Sequence, residues 1–424
     1  GMGGGAPGGE REFGMLVGRR RLRAYLEEQF PEEATAVSEY FRLLGVVARS
    51  APLHFASKLL PGWFAALLRW LFPAFGRISS RTTAEVLASA GCSKELTGAL
   101  SYIWGDCGLP PGESSFAMHA TLVNHYMGGS FYPVGGPSAI ARHAVATIEE
   151  HGGRVMVRAP VEEITIDASG RACGVRVKGE LVSARVVISA AGAYNTFLKL
   201  LPQGARAGAG VARVVAALRA PALKPRVSMV SLFVGLSGSQ EELQLPAHNV
   251  WTFPNADHDA NWAAYKEDPS RPFAATFISC PSAKDPSWHT RHPGKSVALV
   301  LAPAPWSAYS QWAGTKTRKR GAEYEAMMEE LKGKMLEELF SAVPQARGRV
   351  VHSIVGSPLS NDNFLGTFEG EIYGVPLGPD RFQQDFVRPK TPVPGLYLAG
   401  QDACVNGVLG AGFGGVLCAL AVSP

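Results

Sequence analysis

A chain of 424 residues, 46% hydrophobic and 18% charged, is long and apolar enough to bury a large core in two or three domains, which excludes a mainly disordered protein. Its 41 basic and 36 acidic residues leave a net charge of +5 that is spread thinly, too dilute for a nucleic-acid-binding face. The cysteines (Cys92, Cys107, Cys173, Cys280, Cys404, Cys418) are scattered without a C-x-x-C pair, so neither a disulfide framework nor a metal site is expected.

Residues 1–19 read as a flexible leader, and the G-x-G-x-x-G match at Gly3, Gly5 and Gly8 within it is accidental, because no strand precedes it and Pro7 interrupts it. Residues 20–131 read as a mostly helical region. Helices are predicted over Arg20–Phe30, Glu32–Ser50, Trp63–Phe72, Thr83–Ala90 and Ser93–Ile103, with helical periodicity continuing to about Met127. Leu59–Phe72 is apolar but short, and is broken by Pro61 and Arg69. It cannot span a bilayer, and its Trp and Arg content suits either an interfacial helix in peripheral membrane contact or a buried helix.

From Tyr132 the pattern changes. Pro137 and Ser138 open a helix with the apolar face Ile140, Ala141, Ala144, Val145 and Ile148, ended by Gly152-Gly153. Strands are predicted at Val155–Val157, Val161–Ile166, Ala172–Val177, Glu180–Val182 and Val186–Ala190, with a turn at Asp167-Ala-Ser-Gly170. Residues 132–195 thus read as one part of a nucleotide-binding sheet. Residues 196–390 read as an α+β substrate domain with strands Val227–Leu236, Phe273–Ser279 and Ser296–Pro303 and a charged amphipathic helix Tyr324–Phe340. The basic tract Lys316-Thr-Arg-Lys-Arg320 reads as a solvated loop, with a nicotinamide phosphate or an anionic lipid as the alternative partner.

Residues 391–424 carry the strongest signal. An apolar strand, Pro394-Gly-Leu-Tyr-Leu-Ala-Gly-Gln-Asp402, runs into a glycine turn and then a small-residue helix. Glycines let a backbone approach a ligand, a helix N-terminus offers free N–H groups, and a carboxylate can accept a sugar hydroxyl. Gly410-Ala-Gly412-Phe-Gly-Gly415 satisfies G-x-G-x-x-G after a predicted strand, but the fingerprint also needs a second strand and an acidic residue ~20 positions on. It therefore reads as the closing strand and helix of a nucleotide domain whose opening unit lies elsewhere. The plain alternative is a helix packed tightly on a sheet. The architecture expected is interleaved α/β, with mixed α+β parts and ligands at the seam.

Several tracts together carry a family resemblance: Ser101-Tyr-Ile103, Met118-His-Ala120, Val123-Asn-His-Tyr-Met127, Phe131-Tyr-Pro-Val-Gly-Gly136, Pro281-Ser-Ala-Lys-Asp-Pro-Ser-Trp288, Lys319-Arg-Gly-Ala-Glu-Tyr324, Gly356-Ser-Pro-Leu-Ser-Asn361 and Leu396-Tyr-Leu-Ala-Gly-Gln-Asp402. The chain resembles the all-trans-retinol 13,14-reductases (retinol saturases), within the wider carotenoid desaturase and isomerase group of FAD enzymes. The resemblance implies an FAD/NAD(P)-binding Rossmann-like domain of the amine oxidase and phytoene desaturase type, interleaved with the substrate domain. It implies that Gly400 and Asp402 face the pyrophosphate and ribityl part of FAD, and that Gly410, Ala411 and Gly412 form a helix start beside the isoalloxazine. It further implies that the Val161 backbone pairs with adenine and that Gly135 and Gly136 lie near flavin and substrate. Ordinary core remains the alternative for Val161.

The implied reaction is reduction of the C13–C14 bond of all-trans-retinol, with electrons arriving through FAD from NAD(P)H or another donor. The implied substrate is an apolar polyene, retinol or a carotenoid, in a dry slot lined by Phe131, Tyr132, Trp63, Phe64 and Trp70. His125 and Tyr132 are the candidate proton donors, although residues of either kind are more often hydrogen-bonded structural groups. The location implied is the endoplasmic-reticulum membrane, or a plastid if the chain is a carotenoid cis–trans isomerase or desaturase. A non-enzymatic retinoid or lipid binder is the third reading. The family's opening strand, G-x-G-x-x-G turn and helix do not occur in the sequence, so it reads as a fragment, or as a paralogue without its own flavin binding, expected to hold FAD weakly or not at all.

Overall fold

The computed structural model describes residues 11–317 and 319–423. The accidental glycine motif at Gly3, Gly5 and Gly8 and the middle arginine of the 316–320 tract lie outside the described residues.

The N-terminal third is a helical layer: α1 Arg19–Gln29, α2 Ala34–Ser57, α3 Gly62–Leu71, α4 Ala74–Ser79, α5 Thr83–Ser89, α6 Lys94–Leu100, α7 Trp104–Cys107 and α8 Phe116–Tyr126. Its core follows helical spacing, with Val37, Tyr40, Phe41, Leu44 and Val47 on one face of α2 packed against Leu22, Leu26, Leu87, Leu96 and Phe116. A capping box fixes the start of α5, where Thr82 accepts from Glu85 N–H and the Glu85 side chain accepts from Thr82 N–H. Residues 11–18, expected to belong to a flexible leader, instead pack on this layer. Phe13 stacks on Phe30 with ring centroids 5.5 Å apart, and Gly14 N–H donates to Tyr25 Oη at 2.9 Å.

Next come α9 (Ser138–Glu150) and a three-stranded antiparallel sheet in the order β1 Val161–Ile166, β2 Ala172–Val177, β3 Glu180–Ser183. Asp167 Oδ1 accepts from the N–H groups of Ser169 and Arg171 while Gly170 adopts φ +82°, which makes the β1–β2 turn. The segment predicted as strand Val155–Val157 is irregular and exposed, and pairs with no strand among the described residues.

The strand β4 (Val187–Ser189) pairs in parallel with β10 (Leu396–Leu398). This two-stranded sheet joins stretches some two hundred residues apart, and its core includes Val187, Ala193, Tyr194, Leu396, Leu398 and Ala403. Between them lies an antiparallel sheet of β5 Ser228–Ser237, β6 Val250–Thr252, β7 Thr276–Ser279, β8 Lys295–Ala304 and β9 Val350–Gly356, in the spatial order β6-β7-β8-β5-β9. The helix Ala322–Ala342 covers it through Met335 and Leu339. The edge strands β6 and β9 escape sequence prediction because one is only three residues long and the other is partly exposed and has no clean alternation.

Candidate active site

The strand β10 delivers the chain to Gly400, whose φ of +77° requires glycine and whose Cβ position is open space. Two residues on, the Asp402 carboxylate turns inward. Its Oδ2 accepts from Ala193 N–H at 2.7 Å, and its Oδ1 accepts from Val375 N–H at 2.9 Å and from Arg381 Nη1 at 3.3 Å. Both side chains of the ion pair are 1% exposed. Arg381 also donates to the carbonyls of Val375, Gln401 and Cys404 at 2.5, 2.6 and 3.2 Å. Asp402 is therefore the centre of a buried knot that shapes the loop, which corrects the expectation of a carboxylate free to accept a sugar hydroxyl. A buried charge must be satisfied, and here the protein itself supplies the partners. No local motif announces Arg381.

The C-terminal helix Gly407–Val422 starts a turn earlier than expected, so Gly410, Ala411 and Gly412 lie in its second turn and not at its N-terminus. Gly410 and Gly414 serve packing. A Cβ on Gly410 would lie 2.6 Å from Val405 O, and one on Gly414 would lie 2.0 Å from Gly400 O. Gly412 is exposed with nothing within 4 Å of its Cβ position.

At the true start of this helix sits Asn406, a buried N-cap residue whose side chain caps no N–H. Its Nδ2 donates to Asp106 O at 2.6 Å, whereas its Oδ1 is buried with no hydrogen-bond partner among the described residues. An orphaned acceptor beside uncapped helix N–H groups fits a ligand edge that carries both N–H and C=O, as the pyrimidine ring of a flavin does.

Below Asn406 lies a pair of titratable groups that sequence reasoning missed. Asp106 on α7 faces Tyr126 at the end of α8, with Tyr126 Oη 3.5 Å from Asp106 Oδ2. Burial pushes the Asp106 carboxyl up to about 6, against the lowering effect of Tyr126. Burial, reinforced by Asp106, pushes the Tyr126 hydroxyl up to about 12. The usable signal was helical spacing: Phe116, His119, Ala120 and Val123 form the buried stripe of α8, and Tyr126 is its next member. His125 points the other way, exposed against the edge of the Tyr126 ring and without a hydrogen bond among the described residues.

Asp106 carries a pH prediction. Its folded-state proton is held more tightly than in the unfolded chain, so this contribution to stability is full below the ordinary carboxylate range and is lost as pH rises through about 6. The loss is on the order of 3 kcal/mol. Thermal unfolding across this window is expected to slope downward with pH, and Asp106→Asn is expected to flatten the slope.

Gly135 and Gly136 adopt φ of +86° and +83°. Gly135 N–H donates to the buried Asp285 carboxylate at 3.2 and 3.1 Å, and Asp285 also accepts from Ser287 and pairs with Arg291. The loop is thus tied to the five-stranded layer. Tyr132 beside it is half-buried, its hydroxyl raised first by burial and then by Asp285. Val161 opens β1, an edge strand, and is partly exposed. Phe64 is half-buried, but Phe131, Trp63 and Trp70 are 93%, 73% and 75% exposed, so these three line no closed slot. Lys316 and Lys319 are exposed, and the Arg320 guanidinium lies 5.0 Å from the Tyr324 ring centroid.

Residues 77–414 match the family described as flavin containing amine oxidoreductase. The all-trans-retinol 13,14-reductase of Homo sapiens is 36% identical over 432 positions, which cover 98% of this chain and 70% of that protein. An inactive all-trans-retinol 13,14-reductase of Danio rerio is 31% identical, covering 97% of this chain and 69% of its own length. The chloroplastic prolycopene isomerase of Arabidopsis thaliana is 26% identical over 302 residues, or 70% of this chain and 46% of that protein. Among solved structures, an oxidoreductase from Methanosarcina mazei aligns with a TM-score of 0.54 at 18% identity, over 84% of this chain and 72% of that one.

Proposed function

Because the chain belongs to the flavin containing amine oxidoreductases and, within them, to the all-trans-retinol 13,14-reductase family, we propose that it saturates the C13–C14 double bond of all-trans-retinol to give 13,14-dihydroretinol. The observation that carries this reading is 36% identity sustained over 98% of the chain.

A bound FAD supplies the two-electron chemistry, with NAD(P)H as the ultimate donor in this reading. The protein's own part is to orient and to manage the proton. Asn406 Oδ1 and the first-turn N–H groups of the C-terminal helix would hold the edge of that cofactor, and Gly412 would leave the helix surface open to its close approach. Asp106 and Tyr126, joined to Asn406 through the Asp106 carbonyl, would hold a proton at Oδ2 or Oη near that position. With its pKa near 6, the Asp106 carboxyl is poised to exchange a proton at neutral pH. The same reading places the chain at the endoplasmic-reticulum membrane, which cell fractionation tests.

One relative is designated inactive, so turnover is the deciding measurement. The chain is incubated with FAD, a reductant and all-trans-retinol, and the product is analysed by mass. A product heavier by two hydrogens is the expected result. An isomer of unchanged mass from a carotenoid substrate points to isomerase chemistry, and retinol binding without turnover points to a carrier. Either result ends the reductase reading.

A further inference from the structure

We propose that the uncovered face of the five-stranded sheet is the wall on which the polyene lies, with Trp251 seating its hydroxyl end and Phe233 and Ile354 gripping its ring. The inference rests on the retinoid reading and deepens it, because it names the residues that measure the substrate and the direction in which it lies.

The first observation is the sheet itself. One face is covered: Val230, Leu232, Val234, Ile278 and Val300 are buried in the core that includes Met335 and Leu339 of the helix Ala322–Ala342. The other face carries Trp251, Phe277 and Leu301 in one cross-strand row and Leu299, Phe233 and Ile354 in the next. None of these six belongs to a hydrophobic core among the described residues, and Phe233 and Ile354 are 54% and 55% exposed. An antiparallel sheet with one open face normally presents polar side chains there. An apolar face left open marks a surface that a ligand or partner covers.

Polar groups bound this strip. Lys284 Nζ, which donates to Ser279 Oγ and Asn249 Oδ1, closes the second row at β7, where Ser279 stands opposite Leu299. His352, opposite Gly235, and Lys295, opposite Ser237, mark its limit along the strands. Ser231 and Gly356 continue the first row beyond Leu301 with almost no side chain, which leaves Phe233 and Ile354 standing beside a shallow trough.

The second observation is where the strip leads. A Cβ on Gly105 would lie 2.6 Å from Trp251 Cη2 and Cζ3, so the indole packs on glycine backbone one residue from Asp106. The Asp106 carbonyl in turn accepts from Asn406 Nδ2 at 2.6 Å. The strip is therefore continuous with the candidate active site. Trp251 and Phe277 meet edge to face, with ring centroids 4.9 Å apart. In the order β6-β7-β8-β5-β9, Phe233 lies three strands from Trp251, about 14 Å at the usual strand spacing, and Ile354 lies four strands away, about 19 Å. That span accommodates an extended retinoid. In all-trans-retinol the C13–C14 bond adjoins the hydroxyl-bearing carbon, and the ring closes the far end. With that bond near Asp106, the ring falls on Phe233 and Ile354. Apolar contact supplies the affinity, and the distance from Trp251 to Phe233 discriminates by length.

The test is titration of the whole chain with all-trans-retinol, without added FAD or reductant, read from the quenching of tryptophan emission. Saturable binding is expected. Phe233→Lys and Ile354→Lys, both at exposed positions, are each expected to weaken it about tenfold by setting a charge against the ring. Leu181→Lys, at an equally exposed apolar position on β3, is expected to leave it unchanged. Circular dichroism and thermal unfolding check that each variant folds, and Phe233→Ser and Ile354→Ser take over if a lysine variant does not. Absence of saturable binding, or binding indifferent to both changes, overturns the proposal even if the chain reduces retinol. Sedimentation identifies the other occupant: a dimer of the unaltered chain that Phe233→Lys returns to monomer shows that a second copy covers the face, which also overturns it. A chain that binds retinol with the expected losses yet yields no dihydroretinol ends the reductase reading alone and leaves the wall in place.

Discussion

Arg381→Met is expected to lower the stability of the chain by about 3–5 kcal/mol, the usual cost of leaving one member of a buried ion pair uncompensated. Arg381 and Asp402 are both 1% exposed, so water cannot replace the lost guanidinium. The Asp402 carboxylate would keep only the N–H groups of Ala193 and Val375, and the carbonyls of Gln401 and Cys404 would lose their donor. The loop between β10 and the C-terminal helix would then loosen, and with it Asn406. Urea unfolding checks this, with Arg347→Met as the control. Arg347 pairs with Glu337 at 2.6 Å, both well exposed and screened by water, and its loss is expected to leave the midpoint nearly unchanged. Equal midpoints for the two variants would show that the knot does not hold the loop.

The second large effect separates two glycines of one helix. Gly414→Ala would place a Cβ 2.0 Å from Gly400 O, a backbone atom that cannot step aside, so the helix must lift off the end of β10. A loss at or above the upper end of the ordinary overpacking range, about 3 kcal/mol, is expected. Gly412→Ala meets nothing within 4 Å, and in a helix interior alanine is the better residue by about 0.5–1 kcal/mol, so this variant is expected to be slightly more stable. If Gly412 instead keeps its surface free for a flavin, Gly412→Leu should fold normally yet retain less added FAD, read by equilibrium dialysis. Unchanged retention would remove Gly412 from the site.

How much was legible depends on the range of the interaction. The helices α1, α3 and α5 fall within a residue or two of their predicted bounds, because the periodicity and caps that specify them are contained in a dozen neighbouring residues. The β1–β2–β3 sheet and the long pair β5 and β8 were legible for the same reason. The α9 helix was legible as a helix, but no residue of its predicted apolar face is buried; Ala139, outside that face, is the helix's buried residue. Periodicity reports that a face is apolar and says nothing about what covers it.

Site residues fared less evenly. Gly400 needs glycine for its backbone, as a strand-to-turn reading suggests, whereas Gly410 and Gly414 turned out to be packing glycines, indistinguishable in the sequence from the open Gly412. His125 was singled out because it lies near the 131–136 loop and can carry a proton, whereas Tyr126 is the residue that faces the half-buried Asp106 carboxyl.

The sequence by itself determined the order and type of the long elements, the strand–glycine turn–helix close of the chain, and the family likeness, since all of these reside in short local patterns. Tertiary structure alone decided the partners. Asp402 meets Arg381 across 21 residues, Ala193 across 209, and Asn406 meets Asp106 across 300. Such pairings are set by how whole layers pack, and a buried polar atom takes whichever group packing brings to it. A local pattern therefore names the residue but not its role.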